Sequence, residues 1–164
     1  MVQSQRTAPL VYVGTYTRPL PHAAGGGEGI YVYRLDPATG ALAFVGLTPG
    51  VDNPSFLALD PTQRCLYAVN EVGDYAGHSG GAVSAFAIDP QTGALTALNR
   101  QPTHGAAPCY VSVDRTGKWV LVANYTSGNL TVLPIEEGGR LGPASAVVQH
   151  YGSSVNPQRQ EGPH

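Results

Sequence analysis

A block of sequence returns after 54 residues, and this constrains the fold more than any other feature of the chain. Asn53-Pro54-Ser55-Phe56-Leu57-Ala58-Leu59-Asp60, a turn and Leu66-Tyr67-Ala68-Val69-Asn70-Glu71 recur as Ala107-Pro108-Cys109-Tyr110-Val111-Ser112-Val113-Asp114, a turn and Val120-Leu121-Val122-Ala123-Asn124-Tyr125. Pro, Asp and Asn fall in register. A second unit, Gly29-Ile30-Tyr31-Val32-Tyr33-Arg34-Leu35 with its turn Asp36-Pro37-Ala38-Thr39-Gly40, returns as Ala82-Val83-Ser84-Ala85-Phe86-Ala87-Ile88 with Asp89-Pro90-Gln91-Thr92-Gly93. A looser third copy begins at Asn129 and reaches Leu141 through Gly138-Gly139. Pro presets the turn backbone, and Gly supplies the positive φ that sends the chain back as a hairpin.

The blocks are short, rich in Val, Tyr, Leu and Thr, and bounded by turn residues. No long window carries a 3.6-residue apolar period, so essentially no helix is expected. Four antiparallel strands per unit of about 47–54 residues is the spacing of a β-propeller blade. A Greek-key sandwich is the alternative, but it does not require one hairpin chemistry to return at blade spacing. The expected layout is a tail over 1–9 and a partial propeller over 10–164. Its blades lie near 10–48, 54–101 and 108–150, and 151–164 leads into a further blade. Strands are expected near 10–16, 29–35 and 41–47, then 54–60, 65–71, 82–88 and 94–100, then 108–114, 118–124, 129–135 and 144–150. About three blades do not close a ring, so apolar faces are left at both ends and self-association through them is expected.

Composition narrows the function classes. With 9 basic and 11 acidic residues the net charge is −2, which offers no electrostatic footprint for nucleic acid or an anionic membrane. No run approaches the roughly 18 apolar residues of a membrane helix. The polar opening lacks the pattern of a secretory signal, so a cytoplasmic protein with reduced Cys65 and Cys109 is expected.

Alternate loops of an antiparallel meander fall on opposite rims. One rim collects the stereotyped Asp/Pro/Thr/Gly turns. The other collects longer, irregular loops that carry His22, His78, His104 and His164, together with Glu28, Glu71, Asp74, Tyr75, Asn124, Tyr125, Arg159 and Glu161. Long loops on a rigid scaffold are the usual home of binding and chemistry. The histidines lack the fixed short spacing of metal ligands, and no metal or cofactor is expected. Neither a Gly-x-Ser-x-Gly elbow nor a phosphate loop is present.

Taken together, Tyr12-Val13-Gly14-Thr15-Tyr16-Thr17, the Gly-Ile-Tyr-Val-Tyr strand, Asn53-Pro54-Ser55 with Leu66-Tyr67-Ala68-Val69-Asn70-Glu71, and the ending Asn156-Pro157-Gln158-Arg159-Gln160-Glu161-Gly162-Pro163-His164 carry a family resemblance. The chain resembles the lactonase family of seven-bladed β-propellers, of the bacterial 6-phosphogluconolactonase type. It covers about half of the family's length and ends at the histidine of the motif. The resemblance implies hydrolysis of 6-phospho-D-glucono-1,5-lactone to 6-phosphogluconate without a metal. A fungal relative acts on carboxymuconate, so a muconate-type lactone is an alternative substrate.

A lactone carbonyl needs an activated water and a partner for the developing oxyanion. His164 is the candidate general base, as an imidazole of ordinary pKa near 6.5. Arg159 is the candidate for holding phosphate or oxyanion, and Glu161 for orienting either of them. Glu71, Asn70, Asn124 and Tyr125 are candidate binders of substrate hydroxyls, with a strand-end capping role the other reading of Glu71. A non-enzymatic propeller scaffold is the competing class, because Val122-Ala123-Asn124-Tyr125 through Val132 also resembles repeats of surface propellers. The isolated chain is expected to turn over little, since a chain end holds a base poorly.

Overall fold

The structure is a computed structural model and describes residues 8–156, 158, 160, 162 and 163. Among the described residues eleven of thirteen strands form three antiparallel sheets, each a meander in which successive strands of that sheet pair. The first contains β1 (Leu10–Val13), β2 (Gly29–Leu35) and β3 (Leu42–Pro49). The second contains β4 (Leu57–Leu59), β5 (Cys65–Asn70), β8 (Ala82–Ile88) and β9 (Leu95–Pro102). Between β5 and β8 lies a small hairpin, β6 (Asp74–Tyr75) and β7 (His78–Ser79). The third sheet contains β10 (Pro108–Val113), β11 (Trp119–Asn124), β12 (Asn129–Pro134) and β13 (Ala146–Gln149). The one helical element among the described residues is a 3₁₀ turn over Glu137–Gly139. Among the described residues no helix is long and apolar enough to cross a membrane.

The turns form as their residues dictate. Asp36 accepts the Ala38 N–H at 2.9 Å and the Thr39 hydroxyl at 2.7 Å, while Asp89 accepts the Gln91 and Thr92 N–H groups at 2.8 Å. Gly40 and Gly93 then reverse the chain at φ 75° and 79°. The copies match even in their irregularities. The β2–β3 pairing shifts between Val32 and Tyr33, and the β8–β9 pairing shifts at the equivalent Ala85 and Phe86.

Period-two patterning gives β5 two buried faces. Tyr67 and Val69 join Val83 and Ala85 against Val111, Val120, Val122 and Leu133 of the third sheet and Leu141 of the connection between its last two strands. Leu66 and Ala68 join Phe86 against Ile30 and Val51, on the side of the first sheet. Hydrogen bonds also pin the sheets together, among them Tyr67 Oη to the Gly139 carbonyl at 3.0 Å, Asn99 Nδ2 to the Leu141 carbonyl at 2.7 Å and Tyr12 Oη to the Gly93 carbonyl at 2.9 Å. The outer faces remain open. Phe44 is 63 % exposed on the first sheet, and Trp119 and Val148 are 40 % and 46 % exposed on the third.

The strands lie where the repeats place them, with two departures. β1 ends at Val13 rather than at residue 16. Beyond it a β-carbon on Gly14 would overlap the Pro54 carbonyl oxygen, and Thr15 turns its hydroxyl onto the Gly29 carbonyl at 2.7 Å. β4 begins only at Leu57, because Asn53 is in a left-handed conformation at φ 38°. Cys65 and Cys109 are both free thiols.

Candidate active site

β5 ends at Asn70, and Glu71 follows it at the rim where β1 and β4 also have their loops. Its carboxylate is nearly buried, with the residue 7 % exposed. Three side chains from two loops converge on it. Tyr16 Oη donates to Glu71 Oε2 at 3.0 Å, and Ser55 Oγ donates to the same oxygen at 2.5 Å. His22 Nε2 stands 3.6 Å from Oε1, its ring edge-on to Tyr16 with centroids 5.7 Å apart. Burial pushes the Tyr16 phenol up from its ordinary pKa, and the hydrogen bond to Glu71 adds to this. Burial likewise raises the Cys109 thiol, and the negative charge of Glu71 raises it further.

Asn53 holds the loop that brings Tyr16 and His22 there. Its Oδ1 accepts the Thr17 and Arg18 N–H groups at 2.9 and 2.7 Å, and its Nδ2 donates to the Glu71 carbonyl at 3.1 Å. Beside this cluster, Asp52 bridges Arg18 at 2.9 Å and Arg100 at 3.2 Å. The Arg100 guanidinium lies over the Tyr75 ring, 5.7 Å from its centroid. Asp52 thus faces two guanidinium groups at this part of the rim.

The sequence candidates separate by burial. Asn70 and Asn124 are 0 % and 2 % exposed, so neither presents an amide to a ligand on these blades. Asn70 donates to the Asp52 carbonyl at 2.8 Å and accepts from Ser84 Oγ at 2.7 Å. Asn124 donates to the Thr103 carbonyl at 3.2 Å and to Asn129 Oδ1 at 2.8 Å. Both asparagines clamp the strand ends beneath the rim. Tyr125 is half-exposed at the rim, its N–H on the Ala107 carbonyl at 2.9 Å. Arg159, Glu161 and His164 lie outside the described residues. Gly162 and Pro163, between Glu161 and His164 in the sequence, line a cavity of about 270 Å³ with Thr126, Ser127, Gln149 and His150. Among the described residues no group of three or more His, Cys, Asp and Glu side chains is placed to hold a metal ion.

Tyr16, His22, Asn53 and Ser55 were not singled out as site residues from the sequence. A signal for two of them exists in the repeat. Asn53, Ser55 and Glu71 align with Ala107, Cys109 and Tyr125, and these departures meet in one cluster.

The model of the family "Lactonase, 7-bladed beta-propeller" matches residues 10–164. The chain belongs to the seven-bladed lactonase propellers. Among its lactonase relatives is the 6-phosphogluconolactonase of Bacillus subtilis strain 168, 39 % identical over 153 residues, or 93 % of this chain and 40 % of that one. The 6-phosphogluconolactonase of Formosa agariphila is 29 % identical over 94 % of this chain and 41 % of its own. Of solved structures, a Bacteroides fragilis protein superposes with a TM-score of 0.86 at 38 % identity, over 98 % of this chain and 42 % of that one. The periplasmic gluconolactonase of Pseudomonas aeruginosa superposes with a TM-score of 0.77 at 36 % identity, over 91 % and 40 %. The chain therefore spans about two fifths of the length of these lactonases.

Proposed function

We propose that these blades contribute one sector of a lactonase rim that hydrolyses 6-phospho-D-glucono-1,5-lactone to 6-phosphogluconate. The observation that carries this reading is the 39 % identity to a 6-phosphogluconolactonase over 93 % of the chain. The polar rim around Glu71 and Arg100 fits a hydroxyl-rich, anionic substrate.

In this proposal His164 takes a proton from the water that attacks the lactone carbonyl. Arg159 holds the phosphate or the oxyanion, and Glu161 orients one of these two partners. Glu71 and Tyr125 border the place of the sugar hydroxyls, with Asn70 and Asn124 fixing the strand ends below. The closeness of Gly162 and Pro163 to the Thr126 and Ser127 loop supports bringing the 159–164 segment to this rim. Hydrolysis by a general base needs neither a cofactor nor a metal.

The Pseudomonas relative is named for a lactone without phosphate, which favours the unphosphorylated sugar lactone as a second reading. The test fuses the chain to the remaining blades of the Bacillus subtilis relative and follows acid release from both lactones. Preference for the phosphorylated lactone, lost on Arg159→Ala, supports the first reading. Equal rates on both substrates support the second. Unchanged hydrolysis after His164→Ala removes that histidine from the mechanism, and no hydrolysis of either lactone leaves a binding scaffold.

A further inference from the structure

We propose that His22 is a second proton-transfer residue of the rim, a general acid for the leaving ring oxygen, with Glu71 as its positioning residue. This deepens the lactonase reading and rests on it.

Ring opening moves protons at two places. Water loses one as it adds to the carbonyl carbon. The ring oxygen gains one when the tetrahedral intermediate collapses, because the electron pair of the breaking C–O bond ends there. The protonated base can supply that proton only where it also reaches the ring oxygen, and a second group serves a ring oxygen on the other side. His22 has the geometry for that task. Its Nε2 is 3.6 Å from the Glu71 carboxylate and its side chain is 61 % exposed, so Nδ1 is the ring nitrogen not turned to Glu71. A nearly buried carboxylate behind an exposed imidazole, with the Tyr16 ring edge-on to it, sets the imidazole at the rim.

Glu71 is itself held. Tyr16 and Ser55 occupy Oε2, which leaves Oε1 for the imidazole. Tyr16 also packs edge-on to the His22 ring, and Asn53 ties their shared loop to the Glu71 carbonyl. The titratable groups around His22 are thus Glu71 and Tyr16, with the Cys109 thiol within electrostatic reach of Glu71. In the step, His22 gives the Nδ1 proton to the ring oxygen, the carbonyl re-forms, and solvent returns a proton to the neutral imidazole.

The experiment uses the completed ring and measures kcat and KM against pH for the unsubstituted protein, His22→Gln, Glu71→Gln and the double variant. A general acid must be protonated to act, so activity falls as pH rises through its titration. His22→Gln should lower kcat about 100-fold with KM changed by less than about threefold, and should abolish that alkaline limb. Glu71→Gln should lower kcat with KM changed by less than about threefold and should add little further loss in the His22→Gln background, a coupling that general loss of packing does not produce. Because His22 is exposed, its substitution leaves folding intact, which a thermal melt checks. Hydrolysis that persists in His22→Gln with its kcat and alkaline limb unchanged overturns this proposal alone. Absence of hydrolysis in the unsubstituted ring overturns the lactonase reading and this one with it.

Discussion

Asn53 and Ala107 occupy the same point of successive repeats, both in left-handed backbone at φ 38° and 53°. Each carbonyl accepts the N–H of the residue that closes the following strand, Glu71 at 3.1 Å and Tyr125 at 2.9 Å. The backbone is shared, while the side-chain bonds belong to Asn53 alone. Since alanine already adopts this conformation at residue 107, Asn53→Ala tests the hydrogen bonds without added strain. We expect a loss of about 2–4 kcal/mol in urea unfolding, from three unpaired partners in a buried setting. A change below about 0.5 kcal/mol would mean that the loop over residues 14–28 is held by other means.

Acid should weaken the fold in part through Asp114. The Thr116 hydroxyl at 2.5 Å, together with N–H groups of Thr116, Lys118 and Trp119, holds its pKa near 2, below the ordinary 3.8. The group is lowered in the folded state, so the unfolded chain binds the proton first as pH falls. Its contribution is complete above about pH 4 and disappears as pH drops through about 2. The stability difference between the unsubstituted protein and Asp114→Asn should shrink across that window. A constant difference would assign the turn's stability to the backbone alone.

Both thiols should be slow nucleophiles. Burial raises Cys65, with Asp60 adding to it, and burial raises Cys109, with Glu71 adding to it. At pH 7.5, reaction with a disulfide reagent should run on the order of tenfold slower than for an unstructured cysteine, and urea should restore the free rate. Glu71→Gln should accelerate Cys109 and leave Cys65 unchanged. Acceleration of both would indicate general loosening instead.

The isolated chain should self-associate. Val11, Val13, Tyr31, Tyr33 and Phe44 share the outer face of the first sheet, while Trp119, Leu121, Val132 and Val148 share that of the third. The two faces differ, so copies meet head to tail, and blocking one face stops growth. Light scattering should show large species for the chain and monomers for Trp119→Lys or Phe44→Lys. Monodisperse monomer for the unsubstituted chain would show that the end faces do not drive association.

Much of the fold was readable because it is local and repeated. Asp, Thr and Gly set each turn within five residues, and alternation set which side chains are inside. The small hairpin carrying Tyr75 and His78 was missed because two-residue strands have no period to detect. The site was harder to read for a different reason. Tyr16 and Glu71 meet across 55 residues, and nothing near either one in the sequence announces the other. Asn70 and Asn124 differ again: polar residues at strand ends read as ligand binders in a sequence, and here they are buried, with their amide N–H groups on the Asp52 and Thr103 carbonyls. Arg159, Glu161 and His164 rest on motif alone.

The two-sided burial of β5 has an evolutionary corollary. Inserting one amino acid into that strand would exchange both sets of inward-facing side chains at once and ruin two interfaces in a single event. Copying or deleting an entire module keeps both interfaces in phase. Such a lineage changes its size in whole modules, and its novelty accumulates in the connecting loops.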